Sequence, residues 1–72
     1  MPITPKVRPV GQPVVLATEQ EFESVIYPIG TKTVVEDCRV GSDYKVSYKI
    51  RVVNRIGNQT YYWVKAADIK TP

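Results

Sequence analysis

The sequence contains no histidine, and its only cysteine is Cys38. Without histidine, a serine nucleophile has no imidazole base, and the usual zinc ligand sets cannot be assembled. A single cysteine also cannot form a disulfide within the chain. A glycine-rich phosphate loop is missing too, because "IGTKT" lacks the Walker spacing. We therefore expect a protein that is not an enzyme and that binds neither a metal nor a cofactor.

Long apolar stretches are absent as well. No apolar run approaches the roughly 20 residues that a transmembrane helix needs. The N-terminal sequence "MPITPKVRP" lacks the apolar segment of a secretory signal. Together with the single cysteine, these absences predict a soluble, cytoplasmic protein without a membrane partner.

The charged residues divide the chain into an acidic part and a basic part. The chain has 72 residues, enough for one small domain, and a net charge of +3. Five acids and one lysine lie between Glu19 and Asp37, whereas six cations and one acid lie between Cys38 and Lys65. Solvated strand faces of opposite sign would produce this asymmetry.

Short apolar runs separated by turn signals predict an all-β domain. These runs indicate four strands, at 13–18, 31–40, 44–53 and 59–65. The "AADIK" segment that follows indicates a helical turn and a last short strand. Residues 1–12 hold three of the six prolines and predict an extended arm, in which "PITP" fits the P-x-x-P spacing. Residues 19–30 predict a long, partly packed loop that covers Phe22.

The third of these strands has the clearest pattern, and it introduces a family resemblance. Between Tyr44 and Val53, apolar residues alternate with mostly basic ones, so one face is apolar and the other basic. The segments "SVIYPIGTKTVVED", "DYKV" and "YWVKAADI" resemble the middle, the third strand and the close of bacterial-type SH3 domains. The chain departs from that family at "ATEQEFES", which replaces an "RSGPS"-like segment, and at Tyr62, where the family usually has glycine.

The resemblance implies a fold and a kind of ligand. It spans roughly residues 13–70 and implies a small five-stranded, mostly antiparallel SH3-like barrel after the N-terminal arm of residues 1–12. Domains of this family bind extended ligands in an aromatic-lined groove beside the long first loop.

The direction of the aromatic side chains depends on how the third and fourth strands pair. A three-residue bulged turn at "NRIGN" places Tyr62 and Val64 on the apolar face and leaves Tyr61 and Trp63 outside. A two-residue turn reverses this and makes Trp63 a core residue. The resemblance favours the first register, because the residue that matches Val64 lies in the core of SH3-like barrels. The predicted core is then Val15, Val34, Val46, Tyr48, Ile50, Val52, Val64 and Ile69.

The first functional hypothesis is a protein or peptide partner. The outward aromatics and their basic neighbours would hold the partner, while acids of the first loop would meet its basic groups. The residues of this hypothesis are Tyr61, Trp63, Lys49, Arg51, Lys65, Glu21 and Glu23. The small size of the chain suggests a free-standing adaptor or inhibitor, of the kind that a mobile element could encode.

Two other hypotheses remain open. The basic strand face, with Lys45 and Arg55 added to it, could neutralise the phosphates of a nucleic acid while the two aromatics stack on its bases. Binding to a cell wall, the third hypothesis, is implied only by the family resemblance. We rank the protein partner first and the nucleic acid second.

Overall fold

Seven short β-strands form this protein, whose computed structural model describes residues 6–54 and 56–72. They are β1 (Pro13–Leu16), β2 (Gln20–Phe22), β3 (Val25–Tyr27), β4 (Lys32–Val40), β5 (Val46–Val53), β6 (Gln59–Lys65) and β7 (Ile69–Lys70). A 3-10 turn at Ala66–Asp68 joins β6 to β7. The described residues include no helix with the length and apolar character that crossing a membrane requires.

Five of the strands form one antiparallel sheet, in the order β6-β5-β4-β1-β7, which curls into half a barrel. β2 and β3 form a separate hairpin. The predictions of an all-β fold and of a five-stranded antiparallel sheet are confirmed. β6 occupies the predicted residues 59–65, and the predicted helical turn and short strand follow it as the 3-10 turn and β7.

Residues 19–30 contain the β2–β3 hairpin, so the prediction of a long loop is wrong. Phe22 pairs with Val25, which leaves Glu23 and Ser24 as a two-residue turn. Both turn residues have positive φ, 51° and 67°. Asn-Gly is the usual occupant of such a turn, so "ES" carries no sequence signal for it. Phe22 does pack against the core, as the sequence predicts.

The core lies between the curled sheet and the hairpin. Its buried members are Val14, Leu16, Tyr27, Val35, Tyr48, Ile50, Val52, Val64 and Ile69. Five of the eight predicted core residues are among them, and Val46 packs against the cluster while partly exposed. The predictions for Val15 and Val34 are wrong, because Val14 and Val35 point into the core in their place. In a run of adjacent apolar residues, alternation does not show which parity is buried.

A β-bulge in β4 changes which side chains face outward. The pairing with β5 shifts between Val35 and Asp37. After the shift, Asp37 lies opposite Lys49, and the Glu36 carboxylate lies 3.2 Å from Nε of Arg51. Two consecutive acids of β4 therefore share the outer side of the sheet, as bulged pairs do.

Residues 8–12 are hydrogen-bonded to the sheet. The N–H of Arg8 donates to the hydroxyl of Tyr48 at 2.9 Å, and the N–H of Gly11 donates to the carbonyl of Val35 at 2.7 Å. The N–H of Val35 in turn donates to the carbonyl of Gln12 at 3.1 Å. These bonds continue the contact between β1 and β4 toward the N-terminus. The "PITP" segment lies outside the described residues.

Candidate binding face

The turn between β5 and β6 determines which aromatics face outward. The N–H of Asn54 donates to the carbonyl of Asn58 at 2.9 Å, and the N–H of Gly57 donates to the carbonyl of Asn54 at 3.0 Å. Gly57 has a φ of +83°, the left-handed conformation of a bulged turn. This closure pairs even-numbered residues of β5 with even-numbered residues of β6, such as Ile50 with Tyr62. The register that the resemblance favours is confirmed.

Tyr61 and Trp63 lie on the outer side of the sheet, 48% and 43% exposed. Each is directly opposite a cation of β5, Arg51 in the first case and Lys49 in the second. The alternative prediction, that Trp63 is a core residue, is wrong. Ile50 and Val64 have no polar atoms in their side chains and take the buried positions, whereas the indole and the phenol tolerate partial exposure.

A cation lies against each of the two outward rings. Nζ of Lys49 is 5.3 Å from the ring centroid of Tyr61, and Cζ of Arg39 is 4.9 Å from that of Trp63. These distances are within the range of cation–π attraction. We call this surface the basic–aromatic face, and its members are Arg39, Lys49, Arg51, Tyr61, Trp63 and Lys65.

The cations of this face differ in how far their charge is compensated. Arg51 is paired with Glu36, whereas no carboxylate forms an ion pair with Lys49 or Arg39 within the described residues. The other predicted basic residues lie elsewhere: Lys45 is in the turn before β5, 3.9 Å from Asp43. Arg55 lies outside the described residues. The face therefore attracts anions chiefly through Arg39, Lys49 and Lys65.

A pocket of about 500 Å³ opens at the end of the basic–aromatic face. It lies between the 41–45 turn and the 3-10 turn, and its wall contains the face residues Arg39 and Lys65 together with Lys45. Asp43 is its acid, and the Lys45–Asp43 pair is largely exposed and hence weak. Three cations against one carboxylate make this pocket suitable for an anionic group.

Sequence reasoning misses Arg39 and the pocket. Strict alternation along β4 does not identify the outward residues, because the bulge at Glu36 shifts the inward–outward alternation by one residue. No distinctive residue type marks this bulge in the sequence. The pocket forms where two turns meet that are about 20 residues apart in the sequence, so no local motif marks it.

Glu21 and Glu23 do not join the basic–aromatic face. The Tyr62 ring, on the inner side of β6, stacks on Phe22 of the hairpin with 4.1 Å between centroids and 5° between planes. The Tyr62 hydroxyl donates a 2.6 Å hydrogen bond to Oε2 of Glu23. Glu21 is exposed on β2, and alternation directs it away from the side on which Phe22 packs. The structure thus separates these acids from the outward aromatics.

The bond to Glu23 also changes the acidity of Tyr62. Only the neutral phenol can donate this hydrogen bond, so the bond raises the pKa of Tyr62 above its ordinary value of 10.0. Partial burial adds to the increase. Within the described residues, no group of three or more cysteine, aspartate and glutamate side chains is arranged to hold a metal ion.

The chain was also compared with known proteins. No family model, curated protein or solved structure matches it.

Proposed function

We propose that this chain is a non-catalytic binding module whose basic–aromatic face holds an acidic segment of a partner protein. The observation that carries this proposal is the pair of half-exposed rings, Tyr61 and Trp63, each with a cation against it. Tryptophan, tyrosine and arginine are the residues that contribute most to protein–protein binding energy. Exposed apolar surface that is bordered by polar groups is typical of interaction sites, and here cations border the two rings.

The charges of the surface favour a protein over a nucleic acid. Glu36 and Asp37 lie on the same outer side as the cations and would repel the phosphates of a nucleic acid. In addition, the cations lie against the rings on which bases would have to stack. A protein segment can place carboxylates at Lys49 and Arg39 and uncharged residues beside Glu36 and Asp37, whereas a nucleic acid carries a charge at every phosphate.

The pocket beside the face provides a place for one of these carboxylates. Arg39 and Lys65 belong both to the pocket wall and to the face, so a partner lying across Trp63 could reach the pocket continuously. Arginine binds carboxylates through two parallel hydrogen bonds, which gives the contact a preferred orientation.

We further propose that the fold is an SH3-like barrel. Its support is the order of the elements: a first strand, a long excursion that here is the β2–β3 hairpin, three antiparallel strands, a 3-10 turn and a last short strand beside the first. This order agrees with the family segments that the sequence resembles.

A capture experiment tests the proposed function. Wild-type protein, Trp63→Ala and the control Ile56→Ala are immobilised and exposed to lysate with and without nuclease. Ile56 is 80% exposed in the β5–β6 turn, so its variant controls for the loss of any exposed apolar side chain. We expect one identified protein to bind to wild type and Ile56→Ala but not to Trp63→Ala, irrespective of nuclease. Capture that nuclease abolishes would establish the nucleic-acid alternative, and equal capture by wild type and both variants would overturn both.

A further inference from the structure

The two edges of the main sheet differ in how well they are protected. At one edge, β7 has only two residues. At the other edge, β6 has seven residues, without a proline and with an unbroken register against β5. Its only charged residue is Lys65, at the very end. Natural proteins usually protect edges by short length, proline, bulges or inward charges, and β6 has none of these along its first six residues.

The turn hydrogen bonds show which backbone groups of β6 point to this free edge. The bond from Asn54 to Asn58 marks these two as a hydrogen-bonded pair, and such pairs alternate along an antiparallel ladder. Every second residue of β6 therefore bonds to β5, beginning with Thr60. The residues between them direct their N–H and C=O groups outward, and these are Gln59, Tyr61, Trp63 and Lys65.

The end of β6 agrees with this assignment. The N–H of Lys65 donates to Oδ2 of Asp68 at 3.0 Å, which it could not do if it pointed to β5. Asp68 therefore binds the outward N–H of Lys65, the last residue of the edge strand. Outside the β5–β6 ladder, no hydrogen bond of the described residues involves the backbone of Gln59, Tyr61 or Trp63. The alternation of the ladder therefore leaves their N–H and C=O groups free at the edge. The side chains of Tyr61 and Trp63 and their free backbone groups therefore lie on one continuous surface.

The cations of the basic–aromatic face extend toward this same edge. Lys49 is on the strand next to β6, and its ammonium reaches Tyr61. Arg39 is two strands away, on β4, and its guanidinium reaches Trp63 on β6. On the inner side of the edge, the Glu23 carboxylate is held at Tyr62. The outer side of the edge is therefore positive and the inner side carries a negative charge.

We propose that β6 binds its partner by β-strand addition, and that the added strand alternates acidic residues with non-acidic ones. This inference rests on the proposed function and names the form of its ligand. Acidic side chains on the outer side meet Arg39, Lys49 and Lys65. Side chains on the inner side are not acidic, because a carboxylate there would approach Glu23. Backbone bonds to Tyr61 and Trp63 supply affinity, and the alternating side chains supply specificity.

A second copy of the chain fits this edge less well. An antiparallel β6–β6 pair centred on Tyr62 would bring the Glu23 carboxylates of both copies to the symmetry axis. Like charges at that point would oppose pairing. Charge complementarity thus selects an acidic strand from another protein.

The test uses a synthetic peptide of alternating glutamate and valine, as long as β6. Trp63 is the only tryptophan of the chain, so its fluorescence reports binding at the edge directly. One control peptide has the same composition in two blocks. A second control carries N-methyl groups on two adjacent central residues, which removes one backbone donor from each edge of the peptide strand. We expect the alternating peptide to bind at least about tenfold more tightly than the N-methylated control, the effect of about one lost net hydrogen bond or more. It should also bind more tightly than the block control, whose carboxylates cannot all lie on the outer side.

A pair of protein variants tests the same edge from the other side. Tyr61→Pro removes the outward N–H at a position where an edge strand tolerates proline, and Tyr61→Val removes only the aromatic ring. We expect Tyr61→Pro to bind the alternating peptide about tenfold more weakly than Tyr61→Val. If Tyr61→Pro does not fold, the comparison of the alternating and N-methylated peptides on wild type tests strand addition by itself.

The outcomes separate this inference from the proposed function. Trp63→Ala has no tryptophan, so titration calorimetry measures peptide binding to this variant. Equal binding of the alternating and N-methylated peptides to wild type, with both lost in Trp63→Ala, would overturn strand addition and leave the basic–aromatic face intact as the binding surface. No binding of the alternating peptide would overturn strand addition. The capture experiment would then still test whether the basic–aromatic face binds a partner protein. A wild-type dimer in sedimentation that Tyr61→Pro dissociates would assign the edge to a second copy and overturn the proposal.

Discussion

The hydroxyl of Tyr62 donates a 2.6 Å hydrogen bond to Glu23, a residue 39 positions earlier in the chain. This bond joins β6 to the tip of the β2–β3 hairpin, next to the stack of Tyr62 on Phe22. The hairpin supplies Tyr27 to the core from the open side of the half-barrel. The Tyr62–Glu23 contact therefore helps to hold the element that completes the core.

The first prediction concerns the pH dependence of this contact. Because the pKa of Tyr62 is raised in the folded state, the contact stabilises the protein fully below about pH 10. The contribution is lost as the pH rises through the raised pKa. We expect Tyr62→Phe to lower Tm at neutral pH, and to reduce the further decrease that wild type shows at alkaline pH. Ultraviolet titration of wild type and variant should also show one late-titrating tyrosine missing in Tyr62→Phe. Identical alkaline profiles would contradict this assignment.

The second prediction concerns the strained turn of the same hairpin. Ser24 has a φ of +67°, which costs a non-glycine residue about 1–2 kcal/mol. Replacing it with glycine removes that cost but makes the unfolded chain more flexible, at about 0.5–1 kcal/mol. We expect Ser24→Gly to increase the free energy of unfolding by about 0.5–1 kcal/mol in urea denaturation. As a control, Gly57→Ala should destabilise the protein, since Gly57 has a φ of +83° in the β5–β6 turn. A destabilised Ser24→Gly would show that the turn is not strained.

The third prediction tests the assignment of the two faces. Ile50 is completely buried in the core, so Ile50→Ala should reduce the free energy of unfolding by about 2–5 kcal/mol. This is a large part of what so small a domain can have. Val34 lies on the outer side, half-buried opposite Arg51. Val34→Ala should therefore cost clearly less than Ile50→Ala in the same denaturation experiment. Equal costs would mean that the sheet does not have one inner and one outer face.

Sequence reasoning succeeded where the pattern of residues determines the geometry. β5 alternates without interruption, and its polar positions include two cations, so its faces follow from the sequence alone. The "NRIGN" segment is compatible with both a two-residue and a three-residue turn, and the family resemblance favoured the β5–β6 register that the structure has. The outward position of Tyr61 and Trp63 follows from that register.

The remaining errors have one physical origin, which is that some features leave no trace in residue type. The runs containing Val14–Val15 and Val34–Val35 are apolar at both parities, so burial depends on pairing with distant strands. The turn at Glu23 and Ser24 uses residues that rarely adopt its conformation. The bulge at Glu36 and the contact of Arg39 with Trp63 depend on how three strands align. Such features are set by tertiary packing.

The fourth prediction separates a role of Trp63 in binding from a role in folding. The indole is 43% exposed, so Trp63→Ala should change the free energy of unfolding by no more than about 1 kcal/mol. Its effect on partner binding should be larger, at least about 2 kcal/mol, because an aromatic beside arginine contributes strongly at an interface. Urea denaturation and titration calorimetry measure the two quantities on the same samples. An unfolded Trp63→Ala would place the indole in the core and contradict the structure.

The fifth prediction uses salt to distinguish the two classes of partner. A protein segment that meets only a few cations should show a shallow loss of affinity as salt increases, and Lys49→Ala should weaken binding at every salt concentration. A nucleic acid would show a steep loss, and Lys49→Ala would then reduce the slope of log K against log salt by about one unit. Arg51→Ala should change that slope less than Lys49→Ala, because Glu36 already compensates the charge of Arg51 at 3.2 Å. A steep slope that responds equally to both variants would contradict the protein partner and show that the Glu36–Arg51 pair opens on binding.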